Sequence, residues 1–301
     1  MNTLALVTDA ISLQIDYDMP LLLDACQENG LIARVCEWED QDVDWSSFDA
    51  VLLRSPWNCI DRLPAFLGWC EKVDAITHLL NPLSAVRWGL DKIYLNDLAS
   101  YGVPTIPSKF IGLGDSPVTT LRKFLIENVH VSEVVVKPTV GSYSRGVQRF
   151  KRRMESEATE HIAKLLNNGT DVILQPYLES VDCNGETNLT YFDGKYSHAI
   201  RKSAMLMPDG NVNVPTFEFR KACVAEEDER HLAAAALGAA TSYLGIKRPL
   251  LYGRVDVVRD SSGSPMVLEL EICEPSLNLP YSDCAAALLV QALTQRLENL
   301  S

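Results

Sequence analysis

Residues 253–279 read GRVDVVRDSSGSPMVLELEICEPSLNL, and this stretch holds the densest set of residues able to do chemistry. Arg254, Asp256, Glu269 and Glu271 stand at alternate positions in two apolar runs, and DSSGSP between the runs reads as a turn. With Ser262 and Gly263 at the tip of a hairpin, Asp256 lies opposite Glu269 and Arg254 opposite Glu271. Strand side chains alternate between faces, so all four share one face. The other face carries Val255, Val257, Leu268, Leu270 and Ile272 and is expected to be core. Three carboxylates on one partly buried face repel one another, and a divalent cation removes that cost. Mg²⁺ suits such a set, because it takes a few carboxylate oxygens together with phosphate oxygens and water. Arg254 beside them is placed to steady a transferring phosphoryl group. The plainer alternative is a solvated strand face with ordinary ion pairs. Lys247 and Arg248 lie outside the hairpin, however, so the acidic cluster has no matching lysines of its own.

A second stretch, VVVKPTVGSYSRGV, places Lys137 at the end of a valine-rich strand and then opens the loop Gly141-Ser142-Tyr143-Ser144-Arg145-Gly146. Gly141 and Gly146 have P-loop spacing, but Val147 stands where a P-loop needs lysine, and no helix follows at once. GVQRFKR alternates instead like a returning strand. The loop is therefore expected to be a flap between two antiparallel strands, its backbone N–H groups free to approach an anion. Lys137 at its root can reach a phosphate as a point charge. The alternative is a mobile surface hairpin with a solvated lysine.

These groups need elements to hold them. Residues 1–80 show a β-α-β-β-α order. Buried strands are expected at TLALVTD, LIARVCEW and FDAVLLRS, with helices over residues 20–30 and 63–73. Ligands of such open sheets sit beyond the C-terminal strand ends, where Arg54 and Trp57 in RSPWN lie; they are candidates for a substrate carboxylate, or simply part of an exposed turn. A helix capped by Ser84 is expected to run to Tyr101, with Val86, Leu90, Ile93, Tyr94 and Leu98 on one face. Further helices are expected over residues 119–128, 156–166, 225–244 and 282–300. Strands are expected at residues 132–137, in DVILQPYL, and in TNLTYFDGKYSHAIRK, where an Asp-Gly turn divides two runs. Within the last, Arg201 and Lys202 point to opposite sides. His198 shares the Lys202 side and is read as structural.

The 301 residues are 47% hydrophobic, enough for a sizeable core, and the formal charge of −13 argues against a general nucleic-acid binder. Eight cysteines form no Cys-x-x-Cys pair and read as buried free thiols of a reducing compartment. No apolar run reaches the roughly 18 residues of a membrane span, and MNTLALVTDA lacks a basic leader, so a cytoplasmic protein is expected.

Taken together, the Lys137 strand, the glycine flap and the carboxylate hairpin make the chain resemble the ATP-grasp superfamily, which includes glutathione synthetase and D-alanine–D-alanine ligase. The RVD…ELE…EPSL region is also similar to small bacterial members such as the O-ureido-D-serine cyclo-ligases of cycloserine biosynthesis. The resemblance implies an α/β (α+β) fold. It would divide into an N-terminal open α/β domain (1–83), a lid subdomain (84–178) and a C-terminal subdomain with the metal carboxylates (179–301). It implies ATP and Mg²⁺ as cofactors. Lys92, on the helix opening the central region, and Lys137 would hold the phosphates, under Gly141, Ser142, Ser144 and Gly146. Gln175, Tyr177 and Leu178 would form the adenine-binding hinge, and Glu186 would take the ribose hydroxyls. Asp256, Glu269 and Glu271 would ligate Mg²⁺; many members carry Asn where this chain has Glu271. Arg254 and Lys202 would serve the chemistry. The implied activity is an ATP-dependent carboxylate–amine ligation of an amino-acid-like substrate through an acyl-phosphate, possible within one molecule, by a monomer or homodimer. The competing reading is a non-catalytic, regulatory ATP-binding protein.

Overall fold

The structure is a computed structural model that describes residues 2–142, 144–207 and 220–299. Leu300, the expected end of the last helix, and Tyr143 of the glycine loop lie outside the described residues. The described residues build three sheets.

The first is wholly parallel, in the order β2-β1-β3-β4. It comprises β1 (Thr3–Thr8), β2 (Ile32–Glu37), β3 (Ala50–Ser55) and the short β4 (His78–Leu80), with α1 (Met19–Glu28) and α2 (Leu63–Asp74) as crossovers. Strands β1 and β3 are almost wholly buried, as their unbroken apolar runs require. Strand β4 was not foreseen; three residues are too few to show a period.

Two helices then replace the single one expected. Helix α3 (Leu83–Gly89) and α4 (Tyr94–Ser100) are separated by a turn that carries Lys92. Pro82, not Ser84, stands at the start of α3. The break has a local cause. The Asp91 carboxylate accepts the Ile93 N–H at 3.1 Å, and the Lys92 N–H donates to Thr139 O at 2.9 Å instead of to its own helix. Ile93 consequently turns out to solvent and leaves the apolar face expected of it.

The second sheet, β5-β8-β6-β7, is antiparallel. It contains β5 (Lys109–Ile111), β6 (Glu133–Pro138), β7 (Gln148–Lys151) and β8 (Val172–Pro176), backed by α5 (Pro117–Glu127) and α6 (Glu155–Asn167). Direct antiparallel pairing of β6 with β7 makes the glycine loop a hairpin flap and excludes a P-loop.

After the short α7 (Ser180–Asn184), the third sheet runs in the order β11-β10-β9-β12-β13. Its strands are β9 (Glu186–Phe192), β10 (Lys195–Lys202), β11 (Arg220–Cys223), β12 (Tyr252–Arg259) and β13 (Pro265–Glu271). Helix α8 (Glu227–Tyr243) covers one face through Leu232, Ala233, Ala236 and Ala240. The terminal α9 (Ala285–Glu298) packs together with α1, β1 and the Phe192–Tyr252 side of the third sheet, so one core joins the parallel sheet to the C-terminal one. Asn81 fastens the same seam. Its amide donates to Tyr252 O and Ile272 O, and its carbonyl accepts the Leu251 N–H at 2.7 Å.

Candidate active site

The hairpin of β12 and β13 has the expected register: Arg254 pairs with Glu271 and Asp256 with Glu269. The turn is centred on Ser262 and not between Ser262 and Gly263, since Arg259 pairs with Pro265, and a bulge between Asp256 and Val257 restores the register at the charged end. The bulge also exchanges two apolar residues. Val267 is buried in the core, and Leu268, expected there, lines the cleft.

That cleft, of about 280 Å³, lies between the second and third sheets and reaches the parallel sheet at Trp57 and Ile60. Fourteen of the fifteen residues expected to form the nucleotide, metal and catalytic site line it: Lys92, Lys137, Gly141, Ser142, Ser144, Gln175, Tyr177, Leu178, Glu186, Lys202, Arg254, Asp256, Glu269 and Glu271; Gly146, at the close of the flap, does not, although its neighbours Arg145 and Val147 do. Asp256, Glu269 and Glu271 each bring one oxygen within 4.8 Å of the others. An all-oxygen donor set this tight fits a hard divalent cation.

The charges are already paired. Arg254 donates to Asp256 Oδ1 at 2.8 Å and Oδ2 at 2.9 Å, to Glu271 Oε1 at 2.6 Å and to Ser276 O at 3.0 Å. Glu269 faces both lysines, Lys92 at 3.3 Å and Lys137 at 3.7 Å. Burial pushes the Glu269 carboxyl up, but the charges of Lys92 and Lys137 outweigh it and hold the group at about 2. Glu271 goes the other way. Burial and repulsion from Asp256 and Glu269 outweigh Arg254 and push it up to about 8. The two lysines also differ. Burial and the like charge of Lys92 lower Lys137 despite Glu269. Lys92 is raised, because Glu269 and Glu271 together overcome its burial.

Opposite the hairpin, the Lys92 ammonium donates to Gly141 O at 3.1 Å and so ties the helix break to the base of the flap. The Ser142 hydroxyl is buried in the flap without a hydrogen-bond partner, a donor left over for an anion beneath it. Gly146 closes the loop at φ +73°, a conformation side chains resist. Arg145 reaches from the flap to Asp61 of the parallel-sheet layer at 3.0 Å.

At the hinge, the Tyr177 N–H is spent on Glu133 O at 2.9 Å, and Gln175 Nε2 is spent on Ser108 Oγ at 2.9 Å. The Tyr177 carbonyl and the Leu178 N–H have no partner among the described residues, which leaves one acceptor and one donor on the cleft edge. Glu186 and Lys202 form a cross-strand pair with an ion pair at 3.2 Å. Gly185 makes this possible: at φ +67°, a Cβ there would stand 2.2 Å from Lys202 O. As the alternation requires, Arg201 is absent from the cleft lining while Lys202 is part of it. His198 is buried on Leu277 O and Asn278 O, the structural place expected of it.

Arg54 is neither an exposed turn residue nor a substrate anchor. It is fully buried, donates to Pro275 O at 3.0 Å and lies 3.7 Å from Asp18. Trp57 lines the cleft and donates to Glu274 O at 2.7 Å. Asp18 completes the clamp by accepting the N–H groups of Leu277, Asn278 and Leu279. Among the cleft residues that sequence reasoning did not place there, four stand out. Leu268 needs the bulge, Arg220 begins a strand of four residues, and Glu274 and Ser276 sit in a loop without a period. EPSL itself was noticed, but only as part of a likeness.

A family model described as "D-cycloserine synthetase DcsG, N-terminal domain" matches residues 4–81. The cycloserine biosynthesis protein DcsG of Streptomyces lavendulae is 56% identical over 298 residues, covering 99% of this chain and all of that protein. A crystal structure of D-cycloserine synthetase DcsG superposes with a TM-score of 0.95 over 98% of this chain and 100% of that one, at 56% identity. D-alanine–D-alanine ligase from Bacillus anthracis, solved with ATP, has a TM-score of 0.68 at 14% identity, covering 100% of this chain and 98% of its own. That last likeness concerns the fold alone.

Proposed function

The chain belongs to the D-cycloserine synthetase DcsG family of ATP-dependent ligases, and we propose that it forms a C–N bond within one amino-acid-like substrate, releasing ADP and phosphate. The observation that carries this reading is the meeting of the Asp256–Glu269–Glu271 trio with Lys92 and Lys137 in one cleft. Asp256, Glu269 and Glu271 would hold Mg²⁺, which when bound supplies charge neutralisation at the ATP phosphates.

The remaining work falls to the chain's own side chains. Lys92 and Lys137 exchange their hold on Glu269 for phosphate oxygens. The Tyr177 carbonyl and Leu178 N–H receive the adenine edge, Gln175 keeps the hinge in place, and Glu186 takes the ribose hydroxyls. In the first step a substrate carboxylate oxygen attacks the γ-phosphorus and the bond to the β-phosphate oxygen breaks, giving an acyl-phosphate and ADP. In the second, the oxygen-bound ureido nitrogen of the same molecule attacks the acyl carbon, the bond to phosphate breaks, and a proton leaves that nitrogen; the carbamoyl group stays on the ring nitrogen until water removes it as carbamate. Arg254, and Lys202 beside it, are placed to stabilise the charge that develops on the transferring group and the acyl oxygen. Ser142, Ser144 and the two flap glycines exclude water, which would otherwise hydrolyse the acyl-phosphate. The free cysteines fit a reducing, cytoplasmic setting, and no described helix is long and apolar enough to cross a membrane.

The test is turnover of O-ureido-D-serine with MgATP and no second amine. We expect equal amounts of ADP, phosphate and cyclised product. Product only after addition of a separate amine would turn the reading to a two-substrate ligase. ATP binding without turnover would favour the non-catalytic reading, which no relative supports.

A further inference from the structure

Five carboxylates line the cleft: Glu186, Asp256, Glu269, Glu271 and Glu274. Four of them have a cation in contact. Glu186 has Lys202, Asp256 and Glu271 share Arg254, and Glu269 has both Lys92 and Lys137. Glu274 forms no ion pair among the described residues; its carboxylate accepts from the thiol of the neighbouring Cys273 and from its own backbone N–H, and neither is a cation. We propose that Glu274 is a specificity residue that takes the α-ammonium of the amino-acid substrate, so that the enzyme selects amino acids over their des-amino counterparts.

The proposal rests on the reading of this cleft as that of a one-substrate ligase. Its physical basis is the cost of a carboxylate held out of water without a counter-charge. Burial pushes the Glu274 carboxyl up, and Lys92 and Arg254 pull it back only from a distance. A substrate ammonium supplies the missing cation. The other four cleft carboxylates already have a cation in contact.

Placement matters as much as charge, and the backbone is pinned at Glu274 and at the two residues after it. Trp57 Nε1 donates to its carbonyl at 2.7 Å, Arg54 to Pro275 O at 3.0 Å and Arg254 to Ser276 O at 3.0 Å. An α-amino acid carries its ammonium on the carbon next to the carboxylate that is to be activated. A fixed partner for the ammonium therefore orients the reacting carboxylate toward Arg254 and the transferred phosphoryl group. This also gives the Arg54–Asp18 clamp a purpose, since it holds the loop although neither residue lines the cleft.

The experiment compares O-ureido-D-serine with its des-amino analogue, 3-(ureidooxy)propanoate, in wild type and in Glu274→Gln, each saturated with MgADP for binding and MgATP for turnover. Wild type should prefer the amino compound by roughly tenfold to a hundredfold, the range of a charge-assisted hydrogen bond. Glu274→Gln should bring the two within about twofold while the KM for ATP stays put, and Glu274→Asp should restore part of the preference. A merely structural role would weaken both compounds alike and leave their ratio unchanged. An unchanged ratio in Glu274→Gln, or a wild type without preference, overturns the proposal. If wild type neither binds nor turns over either compound, the one-substrate reading fails, and this inference fails with it.

Discussion

The carboxylate hairpin and the glycine flap face each other across one cleft, and they are held in opposite ways. Strand β12 lies inside its sheet, between β9 and β13, and Arg254 ties Asp256, Glu271 and Ser276 O together within a buried surface. The flap is fixed at its root by β6 and β7. Beyond that it depends on Lys92 to Gly141 O, on His161 to Gly146 O, and on an Arg145–Asp61 pair that is about half exposed at each side chain (52% and 56%). The difference teaches where rigidity is needed. In the proposed function, the groups that gather charge are set in place before the ligand arrives, whereas the cover is fastened by contacts that are cheap to break.

Substitutions on the two sides should therefore differ in size and in kind. The largest loss is expected in the hairpin. Glu269→Gln should lower ATP-dependent product formation on the order of a thousandfold, measured by ADP release, while far-ultraviolet circular dichroism stays native. Lys137→Ala, which removes a cation from the root of the flap, should cost about a hundredfold in the same assay. Gly146→Pro should act differently. The φ of +73° is closed to proline, so the flap should seat poorly and ADP should be released in excess of product. Strict coupling in that variant would count against a water-excluding cover.

The hairpin's packed charge should also show in stability. Glu271 is pushed up to about 8 from an ordinary 4.5, so the folded protein binds its proton more tightly than the unfolded chain. Its favourable contribution is complete below about pH 4.5 and fades as the pH rises through about 8. Glu269, held at about 2, contributes above its ordinary value and loses that contribution as pH falls toward 2. The ligand-free protein should thus lose melting temperature between about pH 5 and about pH 8, and Glu271→Gln should lose less. Equal slopes would contradict this. The smallest effect belongs to Asp61→Asn. It should change turnover by no more than about fivefold and should vanish at high salt.

The hairpin was the most legible part of the sequence, because a period of two, a turn signal and a buried sheet leave little freedom of register. Even so, the correct pairing of Asp256 with Glu269 depended on two deviations that offset each other, a shifted turn and a bulge, and Leu268 reveals the second. The flap was legible for a different reason: the residues after Gly146 alternate like a strand and exclude a P-loop helix. The break at Lys92 was missed because Val86, Leu90 and Tyr94 keep helical spacing across it, and only the Asp91 side chain and a distant carbonyl, Thr139 O, interrupt the ladder. Arg54 was misread for a related reason. A strand end in an open sheet is usually exposed, but here the loop after β13 folds over it and buries it. Contacts between segments far apart in the chain leave no local pattern, and residues such as Arg220 and Glu274 enter the cleft through just such contacts.

The central claim is that Asp256, Glu269 and Glu271 gather a metal–nucleotide complex beneath the flap. Its most direct test is anomalous diffraction from crystals grown with ADP and Mn²⁺ in place of Mg²⁺. The account predicts an anomalous peak in contact with those carboxylates, with Lys92 and Lys137 turned from Glu269 to the phosphates. A peak elsewhere, or a nucleotide bound with Glu269 still paired to both lysines, would contradict it.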